Sequence, residues 1–152
     1  MNILQTKWLE HKIMGLDVIL NHDQVQMLDI LSVENLQLRH QFHREYRLVS
    51  GGKLTLKQVI SQHHDMWSNF QINDQLELDN CLIICGEGEM GNEGFIAKTD
   101  KNNALEWMLF STSSNPFVSI YTKNDLVYLK STYNFYIVFN LLTHEIYIEN
   151  GR

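Results

Sequence analysis

Proline is nearly absent from this chain: Pro116 is the only one in 152 residues. That excludes polyproline tracts and proline-rich linkers. Cysteine is almost as scarce, with Cys81 and Cys85 the only two. Four residues apart on an extended segment, their Cα atoms stand roughly 13 Å apart, too far for a disulfide. They read as buried thiols of a reducing compartment, which predicts a cytoplasmic protein. No apolar run approaches the roughly 18–20 residues of a membrane-spanning helix. The first residues lack a secretory signal pattern, since Glu10, His11 and Lys12 interrupt any apolar stretch. Basic residues are also in deficit, 12 Lys and Arg against 18 Asp and Glu. With no basic patch studded with aromatics, nucleic-acid binding is disfavoured. The length predicts a single domain over 1–152, able to bury roughly 70% of its unfolded surface.

What is present is unevenly placed. From Asp74 to Glu106 the acids are Asp74, Glu77, Asp79, Glu87, Glu89, Glu93, Asp100 and Glu106, against Lys98 and Lys101. Eight minus two leaves −6, the formal charge of the whole protein, because the flanking parts balance at seven against seven and three against three. A neutral body with one acidic region attracts a basic partner rather than a phosphate or an anionic membrane. The plainer reading is a solvated loop that aids solubility.

The acidic stretch contains the run G-E-G-E-M-G-N-E-G-F from Gly86 to Phe95. An apolar run over Cys81–Cys85 leads in, and Phe95-Ile96-Ala97 leads out. Glycine accepts positive φ without steric cost, so the run reads as a loop that needs left-handed backbone. Asp100 to Asn103 is a cluster of turn formers, Ala104 to Phe110 is apolar, and Asn115-Pro116 is a second turn. The expected order is strand, glycine loop, strand, hairpin turn, strand, proline turn, strand.

Elsewhere, Leu4, Trp8, Leu9 and Ile13 predict a short helix ending at Gly15, and Leu16 to Leu20 a strand. Asp23 to Ser32 fits either a helix or a strand. Strict alternation from Leu36 to Leu48 predicts a long strand that Ser50-Gly51-Gly52 ends. Thr55 with Gln58 makes a capping box, and the apolar spacing from Leu56 to Phe70 predicts an amphipathic helix. Strands follow over Phe117–Tyr121, Leu126–Ser131, Phe135–Leu141 and Ile146–Glu149, and the short connections between the last three demand antiparallel pairing. Phe135 to Phe139 is apolar on both faces and predicts a central strand, with Trp107 packed in the core beside it. The expected fold is α+β: mainly an antiparallel meander with one or two helices on a face.

Catalytic patterns do not complete themselves. Gly86, Gly88 and Gly91 fit G-x-G-x-x-G, but a dinucleotide site needs a helix N-terminus next, and Asn92-Glu93-Gly94 and a β-type run follow instead. A kinase-type glycine loop fails because the catalytic-loop and magnesium motifs are missing. Of the histidines, His40 and His43 point to opposite strand faces, and His63 and His64 diverge on a helix. His11, His22 and His144 stand alone, so no zinc site is expected. Glu87 and Glu89 lack a pocket to separate their pKa values, and Ser113-Ser114-Asn115-Pro116 reads as a turn. The residues predict no enzyme, no metal and no cofactor.

The runs G-E-G-E-M-G-N-E-G-F-I-A at Gly86–Ala97, L-E-W-M-L-F at Leu105–Phe110 and S-N-P-F at Ser114–Phe117 resemble small bacterial proteins encoded beside polymorphic or contact-dependent toxins. There a glycine-rich loop leads into a strand pair, a tryptophan strand and an S-N-P-F turn. The resemblance covers about a third of the chain and implies an intracellular immunity protein of a contact-dependent growth inhibition system. Such a protein blocks the C-terminal domain of a cognate toxin, commonly a nuclease. Clustered carboxylates give on-rate and specificity against a cationic nuclease. Glu87, Glu89 and Glu93 are the expected contacts, with Asp100 at the hairpin turn beside them. The alternatives are a small hydrolase or ligand-binding domain using the Gly86–Gly94 loop, and a subunit of another complex.

Overall fold

A computed structural model describes residues 3–34, 44–63 and 65–151. In chain order the elements are α1 (Ile3–Leu9), β1 (Lys12–Met14), β2 (Val18–Asn21), β3 (Gln24–Glu34), β4 (Arg44–Thr55) and α2 (Leu56–Gln62). They continue with β5 (Trp67–Asn69), β6 (Gln71–Glu77), β7 (Leu82–Glu87), β8 (Gly94–Thr99) and β9 (Leu105–Ser111). The last four strands are β10 (Phe117–Lys123), β11 (Leu126–Ser131), β12 (Phe135–Asn140) and β13 (Ile146–Asn150).

Antiparallel sheet dominates and both helices are short, so the fold is broadly α+β. Among the described residues the strands form a seven-stranded sheet ordered β4-β3-β2-β9-β8-β7-β6, a four-stranded sheet β10-β11-β12-β13, and the β1-β5 pair. One face of the large sheet, with Val18, Val25, Ile84, Phe95, Met108 and Phe110, is covered by Leu4 and Trp8 of α1 and Leu56 and Val59 of α2. The other face, with Leu28, Ile30, Ile83, Cys85, Ile96 and Leu109, packs on Val127, Leu129, Phe135, Ile137 and Phe139 of the small sheet. Burial on both faces explains why β7, β8 and β9 carry consecutive apolar residues rather than an alternation.

The strand-loop-strand order from Cys81 to Phe117 is as expected, β12 is an interior strand of its sheet, and Asp23 to Ser32 lies in strand. The capping box is present: Thr55 Oγ1 accepts from Gln58 N at 3.2 Å, and Gln58 Oε1 accepts from Thr55 N at 2.9 Å. The helix it opens is shorter than its apolar spacing suggested. His63 caps α2 through a bond from its N–H to Val59 O. Trp67 is then drawn into the pairing of β5 with β1, and Phe70 stacks on Trp8 with ring centroids 4.7 Å apart. Tertiary pairing overrides the helical period there. Likewise α1 stops at Leu9, before a left-handed His11 at φ 60°, and Ile13 belongs to β1.

Three further expectations are corrected. Gly51 and Gly52 do not end a strand; the register passes from Gln26↔Lys53 to Leu28↔Ser50, so they form a bulge opposite Met27 inside β4. The part of the expected strand at 36–43 lies outside the described residues, as do His40, His43 and His64. Among the described residues no glycine has positive φ, while His11, His22, Asn103, Asn115, Asn124 and His144 do. The glycine run therefore serves close approach rather than left-handed backbone. Trp107 is half-buried rather than in the core, with its ring 5.3 Å from that of Phe139.

Candidate functional site

The glycine loop caps one end of the large sheet, and contact explains its composition. A Cβ on Gly86 would stand 1.8 Å from Gln71 O, and one on Gly94 would stand 2.3 Å from Asn115 O. Only a residue without a side chain lets β6 and the Asn115-Pro116 turn come this close. Asn115 N donates to Asn92 O at 2.9 Å, and the Ser131 hydroxyl donates to the Ser114 carbonyl beneath. The glycine run and the S-N-P-F turn, twenty residues apart in sequence, thus form one packed platform.

The carboxylates on that platform have different duties. Glu93 Oε1 accepts from Met90 N at 3.0 Å and Glu93 N donates to Met90 O at 3.0 Å, closing the loop on itself. Glu89 Oε1 accepts from Asn69 N at 3.1 Å and Asn69 Nδ2 at 2.7 Å, tying the loop to β5. Glu87, half-buried at the end of β7, pairs through its backbone with Gln71 of β6, while its side chain makes no hydrogen bond or ion pair among the described residues. A shallow depression of about 370 Å³ runs between Phe70, Glu87, Glu89 and Met90. Met90 is 63% exposed beside it, and Ile72 on neighbouring β6 is 41% exposed.

Asp100 is elsewhere. It lies at the far end of β8 from Gly94, roughly 20 Å away at the rise of an extended strand. Its Oδ1 accepts from Asn102 N at 2.8 Å and Ala104 N at 2.9 Å, so it builds the β8–β9 turn. The acidic stretch is therefore split between two ends of the sheet. Both of its lysines are at the Asp100 end, where Lys101 pairs with Glu77 at 2.8 Å and Lys98 with Glu106 at 3.4 Å. The hydrogen bond from Lys101 holds the Glu77 carboxyl below its usual range. Asp74 is spent on a seam, its Oδ2 accepting from Ile120 N at 2.8 Å. The loop end keeps Glu87, Glu89 and Glu93 with no base from the same stretch.

Both thiols are buried and free, and burial pushes Cys85 up to about 12, with Asp74 adding to the rise. Among the described residues no three His, Cys, Asp or Glu side chains converge as a metal site, and no helix is long and apolar enough to cross a membrane. A second depression at the opposite end of the sandwich brings together His22, Trp107 and His144. Sequence reading passed over it because its residues come from three distant turns and strands. Its one local signal is histidine in turns, since histidine tolerates left-handed backbone better than most side chains. No protein-family model matches this chain, and no curated protein or solved structure was found that matches it.

Proposed function

We propose that this protein is a toxin-neutralising binding protein, an immunity protein that acts in the cytoplasm without catalysing a reaction. Its partner is a basic toxin C-terminal domain of the nuclease kind. The observation that carries this reading is the glycine-loop end of the sheet, where Glu87, Glu89 and Glu93 surround an exposed Met90. Carboxylates in that setting accelerate encounter with a cationic surface and reject acidic ones. Methionine supplies an adaptable apolar contact at the centre. The loop is braced by its own hydrogen bonds and by the Asn115-Pro116 turn, so little ordering entropy is lost on binding. Asp100, roughly 20 Å away along β8 and committed to the β8–β9 turn, is left out of the contact proposed here. A hydrolase on the same loop has less support, because Glu89 and Glu93 are occupied by backbone amides rather than paired as acid and base.

The test is association with the product of the adjacent reading frame, measured at two ionic strengths. Glu87→Lys is the clean variant, since the Glu87 side chain carries no internal bond among the described residues, whereas lysine at 89 or 93 would also dismantle the loop. Glutamine at 89 and 93 removes charge and keeps an acceptor. Glu87→Lys with Glu89→Gln and Glu93→Gln should slow association at low salt and flatten its salt dependence. An unchanged on-rate at low salt removes the loop from the interface.

A further inference from the structure

The second depression, of about 330 Å³, lies at the end of the sandwich away from the glycine loop. Its walls are His22, Lys98, Glu106, Trp107, Phe139 and His144. Both sheets contribute: His22 stands in the β2–β3 turn, Lys98 on β8, Glu106 and Trp107 on β9, Phe139 on β12 and His144 in the β12–β13 turn. The volume falls at the low end of the roughly 300–1,000 Å³ typical of small-molecule sites.

Three features distinguish it from a chance hollow. Trp107 is a large aromatic left half-open where every neighbour along β9 toward Ser111 is buried. Its ring is backed by Phe139 at 5.3 Å, and Phe139 is in turn 6.0 Å from the His144 ring. Next, His22 at φ 55° and His144 at φ 63° both hold left-handed backbone. Among the described residues left-handed backbone is held by three asparagines and three histidines, and two of those histidines, His22 and His144, face this hollow. Strained residues of this kind gather where a side chain has to be presented. Finally, Lys98 and Glu106 pair across the wall at 3.4 Å. The hollow then offers donors and acceptors without net charge: a cation would meet Lys98 and an anion Glu106.

We propose that this depression binds an uncharged planar heteroaromatic molecule of nucleobase or nucleoside chemistry. The ring stacks on Trp107, and its hydrogen-bonding edge meets the imidazoles of His22 and His144. Aromatic stacking supplies affinity for any flat ring, and the mixed polar wall selects rings with both donors and acceptors. The site shares no residue with the glycine loop, so it stands or falls apart from the toxin reading.

The experiment is titration of the ¹⁵N-labelled full chain with adenosine, guanosine and cytidine, following the indole N–H signals. A saturable shift of Trp107 with Trp8 unmoved is expected for at least one probe. Trp107→Leu should weaken binding roughly tenfold or more. His22→Gly suits the local φ, keeps the fold, and should weaken binding without lowering Tm; it carries the test if Trp107→Leu fails to fold. Absence of any saturable Trp107 shift at millimolar probe overturns the proposal, as does parental affinity in His22→Gly. A toxin domain that shifts Trp107 while none of the three probes does so makes the hollow a protein contact and also overturns it.

Discussion

Asn150 grips the backbone of Tyr46 from both sides: its Nδ2 donates to Tyr46 O at 3.1 Å, and its Oδ1 accepts from Tyr46 N at 2.7 Å. A carboxamide reproduces the donor and acceptor of a peptide group, so one side chain at the end of β13 stands in for a strand beside β4. Asp74 does comparable work at the other margin, accepting from Ile120 N at 2.8 Å between β6 and β10. The two sheets are stitched along both margins, which satisfies edge backbone that would otherwise invite pairing with other chains.

Asn150→Ala should therefore cost about 1–3 kcal/mol, because Tyr46 is only 6% exposed and both its backbone groups lose a partner. Asn150→Asp keeps the acceptor and should fall between the two. Urea melts decide this, and a loss below about 0.5 kcal/mol would mean that water replaces the amide.

The two tryptophans that face strands should separate sharply. Trp8 is 4% exposed, stacks on Phe70 and donates from Nε1 to Asn103 Oδ1 at 3.0 Å. Its replacement by alanine should cost about 3–5 kcal/mol. Trp107→Ala should cost about 1–2 kcal/mol, since part of the side chain already meets solvent. Equal losses would place Trp107 in the core after all.

The glycines provide a test of contact against conformation. Gly86→Ala and Gly94→Ala force a methyl into backbone at 1.8 and 2.3 Å, and each should destabilise by about 1–3 kcal/mol or more. Gly91 has nothing within 4 Å and no positive φ, so Gly91→Ala should be neutral or stabilise by up to about 1 kcal/mol. A large loss at Gly91 would contradict the close-approach account.

Alkali should weaken the fold through Cys85. Burial holds this thiol protonated to about pH 12, against an ordinary value of 9.0. Between those values the unfolded chain releases a proton that the native chain keeps, so stability falls as pH rises, by roughly 1.4 kcal/mol per pH unit. Tyr46, also pushed up by burial, contributes in the same direction. Cys85→Ala should lower stability at neutral pH but shed one proton's worth of the alkaline slope. In the native protein Cys85 should resist thiol reagents near pH 8; rapid labelling there would contradict its burial.

The sequence by itself determined the elements whose causes are local. The Thr55–Gln58 cap, the strands from Leu82 to Asn150 and their antiparallel order follow from capping chemistry, short turns and apolar runs. These need no partner to be legible. What depended on distant neighbours was not legible. The Leu56–Phe70 period is helical, yet Trp67 and Phe70 are claimed by β1 and Trp8, so the helix ends at Gln62. The same holds for the candidate sites. Acidic residues adjacent in sequence are divided by the length of β8, while His22, Trp107 and His144, more than eighty residues apart along the chain at one step, meet at one hollow. A strand carries residues about 3.3 Å further with every step and a turn returns them, so linear proximity decides local backbone, and only the packing of two sheets decides which side chains share a surface.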